Sequence, residues 1–165
     1  MTGFHDLYET YSRDIYRFAL YLSGDAALAE DITSETFVRL WSSPEPVRFA
    51  TVKAYLLAIA RNLWLMERRR RASPRDAAEL DENLPDTGPG LSREIEGRHE
   101  LGRILRALQE FPEPDRAALL MRASEGMSYE EIAAALGLPL ATVKVKVHRA
   151  RLKLAQIRNQ GIHTK

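Results

Sequence analysis

Residues 128–154 have the sequence SYEEIAAALGLPLATVKVKVHRARLKL, and this stretch decides how the second part of the chain folds. Ser128 and Glu131 have the spacing of a capping box, in which two side chains satisfy free amide groups at the start of a helix. Gly137 suits the left-handed turn that ends this helix, and Pro139 presets the backbone angle where the next helix begins. The pattern predicts a helix-turn-helix.

The second helix of this motif has an apolar face and a cationic face. Successive residues turn by about 100° around a helix axis, so residues spaced by three or four share a face. The residues that dock the helix are Val143, Val147, Ala150 and Leu154. Pointing away from them are Ala141, Val145, His148 and Leu152, flanked by Thr142, Lys146 and Arg149 on one shoulder and by Lys144 and Arg151 on the other. Such a surface can enter the major groove of DNA.

This basic face also has an alternative interpretation, as the solvated side of an ordinary helical hairpin. The cations, however, lie only on the second helix, whereas the first helix carries Glu130 and Glu131. Contact with DNA phosphates requires a basic second helix, so the sequence favours DNA binding.

Composition limits the classes of protein that the chain can belong to. The chain has 165 residues, 45% hydrophobic content, no cysteine and a net charge of +1. Four scattered histidines give no ligand spacing, so we expect neither a metal site nor a cofactor. The N-terminus has no signal pattern, and the apolar run over residues 54–60 is too short for a bilayer. These features predict a cytoplasmic protein without direct membrane insertion.

The chain is predicted to be all-α, with two small helical domains joined by a flexible acidic linker. Residues 73–92, SPRDAAELDENLPDTGPGLS, replace helical periodicity with prolines, glycines and acids. We therefore predict a domain over residues 1–72, a linker over 73–93 and a helix-turn-helix domain over 94–165. Domains of about seventy residues bury only about 60% of the surface of the unfolded chain, so each should be marginally stable without a partner.

The first domain is predicted to contain three helices. Apolar residues recur at helical spacing from Phe4 to Leu22, and Asp25 is suited to cap the next helix. The third helix runs from Val52 into the arginine run Arg68, Arg69, Arg70 and Arg71. One or two cations would be enough to oppose the helix dipole, so four indicate a polyanionic partner. In the second domain, a helix around Leu105 and another from about Asp115 to Glu125 precede the helix-turn-helix.

Four segments in this order resemble a known family, the extracytoplasmic-function group of bacterial sigma-70-type RNA polymerase sigma factors. They are DLYETYSRDIYRFA, DAALAEDITSETFVRLW, VKAYLLAIARNLWLMERRRR and the stretch from FPEPDRAALLMRASEGM to the end of the helix-turn-helix. The resemblance implies a non-catalytic initiation factor that binds core RNA polymerase and promoter DNA. It would recognise the −10 and −35 promoter elements and help to melt the start region.

The resemblance also assigns roles to individual residues. On the second helix, the residues that would face the clamp coiled coil of the largest polymerase subunit are Asp31, Ser34, Glu35 and Arg39. At the −10 element, Arg61 and Asn62 match an Arg-Asn pair of the family, Arg68 to Arg71 would hold nearby phosphates, and the loop from Pro44 to Phe49 would capture an unstacked base, with Phe49 as a contributor. For the −35 element, the assigned residues are Thr142, Lys144, Val145, Lys146, His148 and Arg149. Phe49 and Tyr55 could each hold such an unstacked base or be core aromatics, and for Tyr55 the core is the preferred prediction.

The sequence departs from the family pattern at positions that influence promoter choice. Met66 stands where members commonly have Asp, and Ser34 stands where they have Gln. On the recognition helix, Val145 and Lys146 replace a serine and an arginine, so a hydroxyl becomes an isopropyl group and a planar guanidinium becomes a point charge. We expect an altered base preference, with Val145 in an apolar contact, such as one with a thymine methyl group, and Lys146 and Arg149 contacting guanine or phosphate.

Two other classes of function are alternatives to an initiation factor. An enzyme is disfavoured because the sequence has no nucleophile elbow, phosphate loop, metal cluster or recognisable pair of acids. An autonomous repressor or activator could use the same C-terminal motif, as a dimer on a palindromic site. Its first domain would need a ligand pocket, a receiver-like acidic site or a dimer seam, whereas this one offers a charged helix and a polyarginine end. An anti-sigma factor is a candidate further partner, because a linker would let both domains close around it.

Overall fold

The computed structural model describes residues 3–43, 51–72 and 99–163, and within these ranges the chain is helical without strands. The all-α fold predicted from the sequence is therefore confirmed. The predicted linker, Phe49 and the loop that contains Phe49 lie outside the described residues. The helices are α1 (Phe4–Ser23), α2 (Ala26–Ser42), α3 (Val52–Arg71), α4 (His99–Gln109), α5 (Glu113–Leu119), α6 (Tyr129–Leu136) and α7 (Leu140–His163), with a π-helical turn over Leu120–Ser124 after α5.

Local signals set the junction between α1 and α2, as the sequence predicts. Gly24 adopts the left-handed conformation with φ of 71°, and its amide donates to the carbonyl of Leu20 at 2.7 Å. Asp25 then caps α2 by accepting a hydrogen bond from the Leu28 amide at 3.1 Å. Because these groups are close in sequence, the turn forms from local chemistry alone.

Helices α1, α2 and α3 form an N-terminal unit around a common core. The apolar side chains that the helical spacing predicts to point inward are largely buried in this core. Its main residues are Ile15, Phe18 and Leu22 of α1, Ala29, Ile32 and Phe37 of α2, and Leu56, Leu57 and Trp64 of α3. The core fixes which faces of α2 and α3 remain outside.

Helices α4 to α7 form a C-terminal unit in which α5 differs from the prediction. The helix starts at Glu113, two residues earlier than expected, because Pro114 in its first turn already has the backbone angle of a helix. It then widens into the π-helical turn, where the Glu125 amide donates to the carbonyl of Leu120 at 3.0 Å. This turn contains Ala123, whose apolar side chain is exposed.

The helix-turn-helix forms as predicted. The Glu131 amide donates to Ser128 Oγ at 3.1 Å, and the Ser128 amide donates to Glu131 Oε1 at 3.0 Å, which completes the capping box. The hydrogen bond from the Ser128 amide lowers the pKa of Glu131 below its ordinary value. Gly137 has φ of 67°, as a left-handed helix end requires. The predicted docking residues Val143, Val147 and Ala150 are buried.

The two units pack directly against each other. The fully buried carboxylate of Glu125 accepts hydrogen bonds from Arg17 at 3.1 and 2.8 Å, and the carbonyl of Glu125 accepts one from Lys53 at 3.0 Å. The hydrogen bond to Glu125 raises the pKa of Arg17 further above its ordinary value. Thr51 also donates to Glu131 at 3.0 Å, and the apolar cores of the two units join in one cluster. Each unit thus covers part of the surface that the other unit, because of its small size, cannot bury within itself.

Two further findings concern the described ranges only. No helix in them combines the length and the apolar character that crossing a membrane requires. They also hold no group of three or more His, Cys, Asp or Glu side chains placed to bind a metal ion.

The contacts of Glu125 predict how the two units are coupled. Glu125→Gln keeps the shape of the side chain and removes its charge, so we expect a loss of about 1.5–3 kcal/mol in the free energy of unfolding, the usual value of hydrogen bonds to charged groups. Urea denaturation measures this loss. Glu9→Gln, an exposed change on α1, is the control and should stay within about 0.5 kcal/mol. Equal stability of the two variants would show that Glu125 does not hold the units together.

Candidate nucleic-acid and polymerase interfaces

The predicted polymerase-binding residues share the outer face of α2. Asp31, Ser34, Glu35 and Arg39 are all exposed and follow one another at helical spacing. They point outward because Ile32, Thr36 and Phe37 on the opposite face are buried in the core. Arg39 lies 3.5 Å from Glu35, a contact between half-exposed side chains that holds neither of them firmly.

An aromatic cluster beside this face was not identified from the sequence. Phe4 packs edge-on against Trp41 with ring centroids 5.1 Å apart, and Tyr8 packs against Phe37 at 5.0 Å. Trp41 is nevertheless 71% exposed and Val38 is 53% exposed. Helical spacing assigns Phe4 and Tyr8 to the buried face of α1, but only the packing of α1 on α2 shows that the cluster reaches the surface.

The predicted −10 residues of α3 fall in two different environments. Asn62 is exposed, whereas Arg61 is buried between α3 and α5. The Arg61 guanidinium donates two hydrogen bonds of 2.8 Å to the carboxylate of Glu113. The structure therefore does not present the Arg-Asn pair as one open surface, and it identifies Glu113 as a partner that sequence reasoning missed.

Asn62 lies in an open groove of about 330 Å³ between the C-terminal end of α2 and α3. The groove brings together residues that the sequence assigned to different roles. Its lining residues are Arg39, Ser42, Ser43, Tyr55, Ile59 and Asn62. Tyr55, for which the core is the preferred prediction from the sequence, is half-buried at this groove. An aromatic ring, an amide and a guanidinium at one groove offer stacking and hydrogen bonding to a flat polar ligand.

The arginine run at the end of α3 is partly neutralised. Glu67 accepts hydrogen bonds from Arg70 and Arg71, which lower the pKa of Glu67 to about 2. Arg71 also lies 3.6 Å from the carboxylate of Asp25. Arg69 is exposed. Because two carboxylates, those of Glu67 and Asp25, offset part of the run, the end of α3 remains cationic with a smaller excess charge than four arginines suggest.

The recognition helix α7 presents most of its predicted DNA-contacting residues outward. Lys144, Val145, His148 and Arg149 are exposed, with Val145 at 59%, and Thr142 is half-buried. Lys144 lies near the Tyr129 ring of α6, with its nitrogen 5.9 Å from the ring centroid. The outward face that helical spacing predicts is therefore present.

Lys146 is oriented differently from the expectation that it contacts DNA. Its side chain is only 12% exposed and donates to the buried carboxylate of Asp115 at 3.1 Å. Arg149 donates to the same carboxylate at 3.0 and 3.1 Å while remaining 57% exposed. Sequence reasoning missed Asp115 because it lies more than thirty positions before these cations. In this structure Lys146 binds Asp115 rather than facing the solvent.

Two protein-family models match the chain in consecutive segments. Sigma-70 region 2 matches residues 7–73, which contain most of α1 and all of α2 and α3, and sigma-70 region 4 matches residues 101–154. The second match covers the helix-turn-helix and the helices before it.

Curated relatives are similar over most of the chain. The ECF RNA polymerase sigma factor SigE of Mycolicibacterium smegmatis is 37% identical over 157 residues, which are 93% of this chain and 61% of SigE. SigL of Mycobacterium tuberculosis is 33% identical over 87% of this chain and 82% of its own length. SigM of Bacillus subtilis is 26% identical over 96% of both.

Solved structures agree with this fold. The sigma factor RpoE from Bartonella quintana, solved in complex with the anti-sigma factor NepR, has a TM-score of 0.73 at 24% identity and covers 96% of this chain and 98% of its own. CnrH, solved with the cytosolic domain of CnrY, has a TM-score of 0.69 at 24% identity over 95% and 88% of the two chains.

The two sigma-70 family models match in the expected order, and two of the relatives are above 30% identical over most of the chain. Together these matches establish the family of the chain. The chain belongs to the ECF RNA polymerase sigma factors of the sigma-70 family, which direct promoter-specific initiation of transcription by RNA polymerase.

Proposed function

We propose that the chain binds core RNA polymerase through the outer face of α2, the −10 element through α3 and the −35 element through α7. The observation that carries this proposal is the position of two exposed cationic surfaces, at the end of α3 and along α7, on separate helical units of one chain. One surface suits each element of a two-part promoter. Both surfaces would serve to place the polymerase on the promoter, so the proposed role is non-catalytic.

The polymerase contact is assigned to charges on α2 beside the exposed aromatic cluster. Asp31 and Glu35 are one helical turn apart and lie on the same face as Ser34 and Arg39. An apolar patch around Trp41 next to such charges has the composition of a protein interface, with an aromatic anchor and a polar rim.

Charge removal on α2 tests this contact. The double change Asp31→Ala and Glu35→Ala should weaken binding to core polymerase roughly tenfold or more, because close charge pairs across an interface each contribute about 1.5 kcal/mol or more. Fluorescence anisotropy with labelled protein and purified core enzyme measures the affinity. The matched control, Glu9→Ala with Glu110→Ala, removes the same charge from exposed positions on other elements. Similar affinities for the two double variants would refute the α2 assignment.

The −10 contact is assigned to the groove at Tyr55 and Asn62 together with the arginine run. A base that leaves the stack can lie on an aromatic ring, and stacking contributes about 1–3 kcal/mol per base. Arg69 and its neighbours are close in sequence to Asn62 and suited to hold the phosphates of the same strand. The predicted contribution of Phe49 is part of this proposal.

Run-off transcription tests the whole function. Core polymerase, a fragment library of the host genome and this protein should give new start sites that share two spaced elements. Changing Arg68, Arg69, Arg70 and Arg71 to alanine should abolish these starts, because the phosphate contacts are lost. Arg103→Ala with Arg106→Ala, at exposed positions on α4, is a control that should keep them. Binding of DNA without core enzyme and without polymerase-dependent transcripts would instead favour an autonomous regulator.

The −35 preference is assigned to the outer face of α7, with Val145 at its centre. Val145→Ser restores the hydroxyl that the family commonly has and should change the base preferred at one −35 position, by about 1–3 kcal/mol for a well-matched contact. Transcription from a promoter library randomised at the −35 element measures this preference. Ile104→Ser, a similar change at an exposed position on α4, should leave it unchanged. An unchanged preference in Val145→Ser would remove Val145 from the set of base-reading residues.

Regulation by a protein partner and location in the cytoplasm complete the proposal. An anti-sigma factor is proposed as a partner because the similar RpoE was solved with one, and because the two units present surfaces that such a protein could cover. Co-purification from the native host identifies this partner, and its absence there would count against it. The cytoplasm is the proposed location because core polymerase and promoter DNA are there.

A further inference from the structure

One ion pair occupies Arg61, a residue that the family resemblance assigns to the −10 element. Arg61 of α3 and Glu113 of α5 are 52 positions apart and form two hydrogen bonds of 2.8 Å. Their side chains are 10% and 2% exposed, so the pair is withdrawn from water. It lies between the N-terminal and the C-terminal unit, and it therefore exists only while the two units are in contact.

The geometry makes this pair exclusive of DNA. Arg61 uses its Nε and its Nη2, one of the two edges of the guanidinium that can bind a phosphate or a guanine in a bidentate way. While Glu113 holds this edge, the Nη1 side of the guanidinium is not open to a nucleic acid either, because only 10% of the Arg61 side chain is exposed. A carboxylate of the C-terminal unit thus stands where an oxygen pair of the nucleic acid would bind.

Other contacts across the same interface favour this arrangement. The buried carboxylate of Glu125 binds Arg17, its carbonyl binds Lys53, and Thr51 binds Glu131. Arg61 can reach nucleic acid only when the units move apart, so these contacts also oppose the binding of nucleic acid by Arg61.

Stability alone does not account for a buried pair at this position. Desolvation of two charges costs about as much as their attraction returns, and apolar residues of similar size are often equal or better. The contact between the two units already buries a shared apolar core without this pair. The pair is therefore better explained by what it does to Arg61 than by a contribution to folding.

We propose that Glu113 is an internal competitor of promoter DNA for Arg61, and that it determines how strongly the free protein binds melted DNA. The proposal rests on the assignment of Arg61 to the −10 surface. A protein with paired units has low affinity for single-stranded DNA, and separation of the units releases the guanidinium. Glu113 acts through Arg61 and contacts no DNA itself.

The proposal implies a reciprocal effect. The apparent affinity for DNA is the intrinsic affinity multiplied by the fraction of molecules in which the units are apart. By linkage, DNA that binds Arg61 must increase that fraction by the same factor. Two independent quantities, the affinity and the distance between units, should therefore change together.

The test compares variants that differ in one charge. Glu113→Gln keeps the shape of the side chain but removes the competing charge, and Glu110→Gln removes the same charge at an exposed position of the same connection. Glu125→Gln loosens the interface without changing Arg61 or Glu113. Because the chain has no cysteine, Ala27→Cys and Ala134→Cys at exposed sites on the two units accept a fluorescent donor and acceptor.

Two measurements on the full chain decide the outcome. Anisotropy gives the affinity for a mixed-sequence single-stranded DNA oligonucleotide, and energy transfer between the labels reports the separation of the units. Glu113→Gln should bind the oligonucleotide roughly tenfold more tightly than the wild type, as expected from removal of a charged hydrogen-bonded pair, and show less energy transfer. Glu110→Gln should match the wild type in both measurements.

A third variant separates competition from general loosening. Adding Arg61→Ala to Glu113→Gln should remove the gain in affinity and leave the energy transfer low, because the released guanidinium is what binds DNA. If Glu113→Gln does not fold, Glu125→Gln takes its place and should give the same gain, again only when Arg61 is present.

The outcomes also separate this proposal from the assignment of function. Affinity and energy transfer in Glu113→Gln equal to those in Glu110→Gln would overturn the proposal, even if run-off transcription succeeds. A gain in affinity that persists without Arg61 would overturn it as well. Tighter binding and wider separation that depend on Arg61, in a protein that gives no polymerase-dependent transcripts, would support the competition and reject the sigma-factor role.

Discussion

The structure depends on burial of apolar surface shared by two helical units that are each small. Three helices on one side and the helix-turn-helix with its supporting helices on the other join their cores into one cluster. Units of this size have little interior of their own, so contact between them supplies burial that neither obtains alone. The polar groups enclosed at this contact must then be paired, which explains the hydrogen bonds that Glu125 makes with Arg17 and Lys53.

Two carboxylates at the start of α5 bind cations from both helical units. Glu113 pairs with Arg61 of the N-terminal unit, and Asp115 pairs with Lys146 and Arg149 of the recognition helix. One helical turn thus binds cations from both proposed DNA surfaces. Arg149 keeps more than half of its side chain exposed, so Asp115 holds it in a fixed direction without covering it.

These ion pairs reduce the positive charge that the proposed DNA-binding surfaces offer to DNA. A count of cations along α3 and α7 overstates the charge available to DNA, because Glu67, Glu113 and Asp115 each offset part of it. Nonspecific attraction to DNA grows with the number of free cations, so internal pairing limits it. Uncharged residues on these surfaces, whose contacts no carboxylate offsets, then have more influence on selectivity. Val145 is such a residue, since it is apolar and exposed on the outer face of α7.

The sequence by itself determined the features that arise from neighbouring residues. The capping box of Ser128 and Glu131, the left-handed turns at Gly24 and Gly137 and the buried face of α7 follow from groups within a few positions of one another, and the structure has all of them. The family resemblance came from the same local patterns in their order. The predicted contact residues on α2 are exposed for the same reason, because helical periodicity decides which side faces the core.

Only the tertiary structure decided which of the predicted contact residues are free. The partners of Arg61 and Lys146 lie 52 and 31 positions away, and helical spacing carries no information about such pairs. The widening of α5 into a π-helical turn, which contains the exposed Ala123, and the exposed Trp41 beside Phe4 likewise follow from how helices pack. Periodicity assigns a side chain to a face, whereas its availability depends on what the rest of the fold places against that face.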